Sequence, residues 1–143
     1  MEPNEEKKKE ELLNRLSRIL EYSGYIDGIK ERDLDNIYLR FSALYLLQLE
    51  LNNLTVLLEE ISKVKGSNLI QTLLDEMVLT KEEAELLEGF LKLKDKIIKG
   101  NVEYNEIREI ISKKEYRKIN SIASKIFHSI FSPSFNPEYK PQK

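Results

Sequence analysis

Proline is absent from residues 4 to 132, and this gap constrains the fold more than any other feature of the sequence. A proline inside a helix removes a backbone hydrogen bond and clashes with the preceding turn, so a long proline-free stretch permits uninterrupted helices. Leu, Glu and Lys, which favour helix, dominate the stretch, whereas Thr and Val are few. No sustained alternation of apolar and polar residues indicates a strand. The sequence therefore predicts an all-α fold.

The spacing of apolar residues predicts an up-and-down bundle of about five helices. They are expected at about 5–23, 33–65, 68–77, 80–99 and 103–130, the last with a break at 113–115. Asp33 or Asp35 can cap the second helix, and Thr80 with Glu83 forms a capping box that opens the fourth.

The end of the sequence differs in composition from the rest. Residues 132–143 are rich in Pro and polar side chains and are predicted to form a flexible, disordered tail. Residues 1–131 are therefore expected to form a single helical domain.

The composition excludes several classes of chemistry. Without cysteine the chain has no disulfide scaffold, no Cys-ligated zinc and no thiol nucleophile. Its single histidine, His128, excludes a multi-His metal site within one chain, and no Glu three residues earlier completes the Glu-x-x-His pattern of di-iron bundles. No metal and no cofactor are predicted. His128 itself is expected on the exposed side of the last helix.

Charge and hydropathy predict where the chain resides. Its 25 acidic and 23 basic residues give a net charge of −2, without the basic stripe of a dedicated nucleic-acid binder. The first 30 residues contain no signal-peptide core, and no stretch of about 20 apolar residues occurs. We therefore expect a cytoplasmic protein without a membrane association.

The second helix is apolar on more than one side, and so must be covered on more than one side. One stripe includes Leu47, Leu54 and Ile61, and another includes Leu49 and Val56. Either this helix is central to the bundle, or it also contributes to a dimer seam, and both can hold. We expect a homodimer.

Lys94 is the unusual residue of the fourth helix. On a helical wheel it points into the apolar face between Leu87 and Phe90, away from the other lysines. An unpaired buried ammonium is costly, so Lys94 either extends its charge to solvent at the bundle edge or lines a polar cleft or dimer groove. A pairing of Lys94 with Arg40 or Glu50 of the second helix is one hypothesis.

Two stretches of the sequence resemble a known family. The segment RFSALYLLQLELNNLTVLLEEI (40–61) resembles the second helix of HepT-like proteins in the HEPN superfamily. The segment LLDEMVLTKEEAELLEGFLKLKDKIIKGNVEYNEIREII (73–111) fits the short helix, acidic restart and motif helix that follow. The resemblance covers about residues 10–115 and implies an all-helical domain, often paired with a small nucleotidyltransferase.

The resemblance also implies candidate site residues. The family's signature is an Arg, then a polar residue, then a His a few positions later, and it supports metal-independent RNA cleavage in a cleft at the dimer interface. These positions fall on Lys94, Asp95 and Lys99, so all three differ from the signature. A Lys of ordinary pKa, near 10.4, is protonated at neutral pH and can stabilise a phosphate but cannot accept a proton.

Three functional hypotheses follow. The first is a non-catalytic, HepT-like binding protein, paired with a nucleotidyltransferase in a toxin–antitoxin-like pair. The second is an active HEPN ribonuclease that uses the altered residues Lys94 and Lys99. The third is a helical scaffold without a connection to RNA. Weak binding of RNA or of a nucleotide phosphate is compatible with the first two.

Overall fold

The computed structural model describes residues 3–131, and within this range the chain forms six α-helices and no strand. The helices are α1 (Pro3–Asp27), α2 (Ile37–Lys65), α3 (Leu69–Asp75), α4 (Lys81–Ile98), α5 (Tyr104–Ser112) and α6 (Tyr116–His128), and a 3₁₀ turn (Glu31–Asp35) precedes α2. The predicted all-α bundle is confirmed. The tail predicted at 132–143 lies outside the described residues.

Helices α1 and α2 pack in opposite directions. Lys8, near the start of α1, pairs with Glu60, near the end of α2, at 3.0 Å. Two turns further along α1, Arg15 donates a hydrogen bond to Asn53 at 3.1 Å, two turns back along α2. Because seven residues forward along α1 correspond to seven residues back along α2, the two helices are antiparallel.

Helices α1 and α6 are also antiparallel, although almost the whole chain separates them. Asn120 donates to the hydroxyl of Ser23 at 3.0 Å, and Arg117 pairs with Asp27 at 3.0 Å. The hydroxyl of Tyr116 donates to the same Asp27 carboxylate. Helices α2 and α6 thus both run in the direction opposite to α1, which agrees with an up-and-down bundle.

The core is built from the inward side of every helix. Leu, Ile and aromatic side chains of α1, α2, α3, α4, α5 and α6 form one buried cluster. Helix α2 contacts α1, α3, α4 and α6, so of the two alternatives for its apolar surface the structure shows the central position in the bundle.

Local signals in the sequence set several helix ends correctly. The Thr80 hydroxyl accepts from the backbone N–H of Glu83 at 3.1 Å, and the Glu83 carboxylate accepts from the N–H of Thr80 at 3.0 Å, which confirms the capping box. The break between α5 and α6 is also confirmed. There Lys114 takes a left-handed conformation with φ of 55°, which turns the chain from one helix into the next.

The predicted start of α2 was wrong by about one turn. The Asn36 side chain caps this helix, accepting from the N–H groups of Tyr38 at 2.8 Å and Leu39 at 3.3 Å. Asp33 instead accepts from the backbone of Lys30 at 2.9 Å and holds the 3₁₀ turn. Leu34 in this turn is completely buried.

Helix α2 is long and apolar enough, by length and composition, to cross a membrane. Its most apolar window has a mean hydropathy of 1.2, and 39% of that window is buried inside the bundle. Packing within the bundle therefore accounts for part of its apolar character.

We expect that Asn36→Ala lowers the free energy of unfolding by about 1 kcal/mol, because it leaves two backbone N–H groups of α2 without an acceptor. Chemical denaturation of both proteins measures the difference. Asn105→Ala is the control, since this exposed side chain on α5 makes no hydrogen bond within the described residues. A loss of equal size in the control would contradict the capping role.

Candidate functional site

Lys94 lies half-buried on the inward side of α4, as its wheel position predicts. Within residues 3–131 its ammonium forms no hydrogen bond and no ion pair. The proposed pairing of Lys94 with Glu50 or Arg40 was therefore wrong. The Glu50 carboxylate has no hydrogen-bond partner, and Arg40 contacts Leu34 and Tyr104 instead.

Arg40 joins α2 to the 3₁₀ turn and to α5. Its guanidinium donates to the carbonyl of Leu34 at 2.9 Å and lies over the ring of Tyr104, 5.4 Å from the ring centroid. The Tyr104 hydroxyl in turn donates to Asp35 at 2.9 Å. These contacts hold Arg40 at the base of α2, so it supports the fold rather than the predicted site.

The three motif positions on α4 do not converge. Asp95 and Lys99 are exposed, whereas Lys94 is half-buried. Five residues of an α-helix place Lys99 about 140° around the axis from Lys94. Lys99 directly follows α4 as its C-cap, and its backbone N–H donates to the carbonyl of Asp95 at 3.1 Å.

A cleft of about 610 Å³ lies beside α4 but contains none of the three motif residues. Its floor is apolar, with Leu86, Phe90 and Leu93. Glu82, Glu85 and Glu115 border it against one lysine, Lys118, so its charge does not suit a phosphate.

His128 is exposed on α6, which confirms its predicted position. Its ring packs against the ring of Phe127, with 5.3 Å between the centroids. In the described part of the chain His128 makes no hydrogen bond and no ion pair, so no acid or nucleophile is in place to work with it. Within the same residues no three His, Cys, Asp or Glu side chains are grouped to hold a metal ion.

The least expected feature is Glu50, which the sequence presented only as a partner for Lys94. Its side chain is completely buried, and neither carboxylate oxygen has a hydrogen-bond partner. Burial, and then the negative charge of Asp27, raise the pKa of Glu50 to about 9. Glu50 is therefore a neutral acid at pH 7.

The burial of Glu50 was visible in the spacing of α2. Buried residues of this helix recur at alternating steps of four and three, and Glu50 occupies one of these steps: Ala43, Leu47, Glu50, Leu54, Leu57 and Ile61. Such a series marks the inward side of a helix. Because Glu50 belongs to this series, its side chain takes a core position.

A polar seam between α1 and α6 includes the charge that acts on Glu50. Burial raises the pKa of Asp27, but hydrogen bonds from Tyr116 and Arg117 lower it more, so the net pKa lies below its usual value. Burial and the hydrogen bond to Asp27 raise the pKa of Tyr116 to about 12. The Asn120 carbonyl in this seam is buried without a hydrogen-bond partner. Asp27 thus stays ionised while Glu50 stays protonated.

Comparison with family models, with curated proteins and with solved structures gives no match for this chain.

A second feature that the sequence did not indicate is an exposed aromatic face on α2. It consists of Tyr38, Phe41 and Tyr45, which are 79%, 58% and 60% exposed. Their spacing of three and four residues places them on one side of the helix and could have identified the face.

We expect the stability of the native protein to fall as pH rises from about 4.5 to about 9, by up to about 1.4 kcal/mol per pH unit, because unfolding releases the proton of Glu50. The sign follows from the raised folded-state pKa, since the folded chain binds one more proton than the unfolded chain in this window. Glu50→Gln removes the titrating group and should flatten this dependence. Denaturant unfolding at several pH values measures both slopes.

Glu59→Gln is the control for this experiment, because Glu59 is exposed on the same helix and makes no ion pair within the described residues. This variant should keep the slope of the parent protein. Equal slopes for the parent and Glu50→Gln would show that Glu50 does not hold its proton in the folded state.

Proposed function

We propose that this protein is a non-catalytic binding protein of the HepT-like HEPN type, which forms a homodimer and pairs with a nucleotidyltransferase in a toxin–antitoxin-like pair. The observation that carries the binding role is the aromatic face of α2. The nucleotidyltransferase is the partner that the family resemblance implies.

The aromatic face is exposed although the chain is rich in charge. Charged residues make up 34% of the sequence, yet from Ile37 to Leu58 only Arg40 and Glu50 are charged. Arg40 is directed to the Leu34 carbonyl and the Tyr104 ring, and Glu50 is buried, so neither charge lies on this face. A contiguous exposed patch of aromatic side chains on a charged protein is typical of an interaction surface.

The lack of charge also favours a second copy of the chain as the occupant. In a two-fold dimer the same patch meets itself, so any net charge on it would be repelled by its own copy. Tyr38, Phe41 and Tyr45 bring no such repulsion. Their rings supply large contact areas at a low cost in side-chain entropy.

The non-catalytic part of the proposal rests on α4. Metal-independent RNA cleavage needs a group that accepts and returns a proton near neutral pH. Lys94, Asp95 and Lys99 include no histidine, none of them lines the cleft beside α4, and His128 lies on another helix. These positions therefore support binding rather than cleavage.

The dimer prediction is tested by light scattering after size exclusion at micromolar concentration. The parent protein should have the mass of two chains, and Phe41→Glu should have the mass of one, because the substitution places two like charges at the two-fold contact. Val64→Glu is the control, since Val64 is 67% exposed on α2 but outside the aromatic face. A parent protein of single-chain mass would contradict the dimer.

The partner prediction is tested by purifying the tagged protein from its own host and identifying what accompanies it. Recovery of a nucleotidyltransferase in stoichiometric amount supports the proposed pair. If the preparation contains the homodimer but no nucleotidyltransferase, the proposed pairing is overturned.

We expect the purified protein to leave bulk RNA intact in the presence of a chelator, and Lys94→Ala with Lys99→Ala to behave in the same way. Gel electrophoresis of the RNA over time measures this. Lys81→Ala with Lys92→Ala is the control, because both are exposed lysines on the same helix. Cleavage that the first pair of substitutions abolishes and the second does not would establish the ribonuclease hypothesis instead.

A further inference from the structure

A groove of about 620 Å³ runs between α1 and α2. Arg15, Arg18 and Tyr22 line its α1 side, and Asn52 and Asn53 line its α2 side. None of these residues belongs to the aromatic face or to the motif positions on α4. The groove is therefore a separate site from those considered above.

Arg15 is held in place by a buried amide. The Asn53 side chain is only 6% exposed, and its amide donates to the Leu49 carbonyl at 2.8 Å. Its carbonyl oxygen accepts from the Arg15 guanidinium at 3.1 Å. This arrangement orders Arg15 but does not neutralise it, because Asn53 carries no charge. The other guanidinium N–H groups are left for an acceptor in the groove.

The charges around the groove favour an anion. Arg15 and Arg18 form no ion pair within the described residues. Two carboxylates also line the groove, but Glu60 already binds Lys8 and Lys63, each at 3.0 Å. Only Glu11 is left without a cationic partner in the described range. The lining side chains alone carry two positive and two negative charges. With Lys8 and Lys63, which pair with Glu60 from outside the lining, the charge around the groove is net positive, although the whole chain carries −2.

We propose that this groove binds a nucleotide phosphate, with Arg15 and Arg18 on the phosphate oxygens and Tyr22 and Asn52 on the base. Two guanidinium groups one turn apart suit a phosphate, whose oxygens accept paired N–H groups. Tyr22 lies one further turn along the same wall and supplies a ring on which a base stacks. The Asn52 amide can both donate to and accept from a base edge.

The nucleotide phosphate has two sources, a free nucleotide or a single-stranded RNA. AMP titrated in a calorimeter tests the first, and fluorescence polarisation of a labelled oligouridylate tests the second. We expect binding of at least one probe, and a loss of at least about tenfold in affinity for Arg15→Gln with Arg18→Gln, since charge-assisted hydrogen bonds are removed. Binding of AMP alone identifies a free nucleotide, and binding of the oligonucleotide alone identifies RNA.

The control is Arg32→Gln with Arg108→Gln, which removes the same charge from exposed positions outside the groove. A loss in this variant as large as in the groove variant would show non-specific attraction and overturn the site. So would the failure of the parent protein to bind either probe at millimolar concentration.

A third variant tests the role of the buried amide. Asn53→Asp places a carboxylate against the Arg15 guanidinium and should weaken binding of the same probe, because an internal ion pair then competes with the phosphate. Thermal unfolding by circular dichroism checks that each variant is folded. Undiminished binding by a folded Asn53→Asp protein would contradict this role. The outcome does not depend on the dimer, since the groove and the aromatic face share no residue.

Discussion

Packing of the other helices against the apolar surface of α2 determines which of its side chains are buried and which are exposed. Helices α1, α4 and α6 pack against it, and its inward side repeats at steps of four and three from Ala43 to Ile61. A helix this apolar needs such cover, since exposed apolar surface is unfavourable in water. The cover is incomplete near the start of the helix, where the aromatic face stands out. The same helix therefore supplies both the centre of the core and an exposed aromatic surface.

The sequence predicted the helices well where their ends depend on neighbouring residues. The box formed by Thr80 and Glu83 needs only four residues, and the break near Lys114 interrupts an otherwise continuous pattern. The start of α2 was predicted less well, because Asp33, Asp35 and Asn36 are all acceptable caps. The 3₁₀ turn that separates Asp33 from the helix contacts α5, through Tyr104 and Asp35 among others, and a contact so distant in sequence cannot be read from the local residues.

The site was less predictable than the fold for the same reason. The half-buried position of Lys94 follows from the wheel of α4 alone. Its lack of a partner, the isolation of Glu50 and the anchoring of Arg15 by Asn53 depend on how separate helices pack. An inward acid and an outward aromatic residue both have a recognisable spacing. The side chains of other helices that each of these residues contacts are known only from the three-dimensional structure.

The contact between α1 and α6 has a consequence for how the chain is made. Ser23 and Asp27 bind residues of α6 that follow them by about ninety positions, at the far end of the bundle's chain. Near the opposite end of this pair, Lys8 and Leu12 border the same hollow as Ile130. During synthesis, α1 can pair with α2 early, but its second side has no neighbour until α6 has left the ribosome. The side of α1 that carries Ser23 and Asp27 therefore stays without its α6 partners until residues 116–128 have been synthesised, so this contact closes after the pair of α1 and α2 can form.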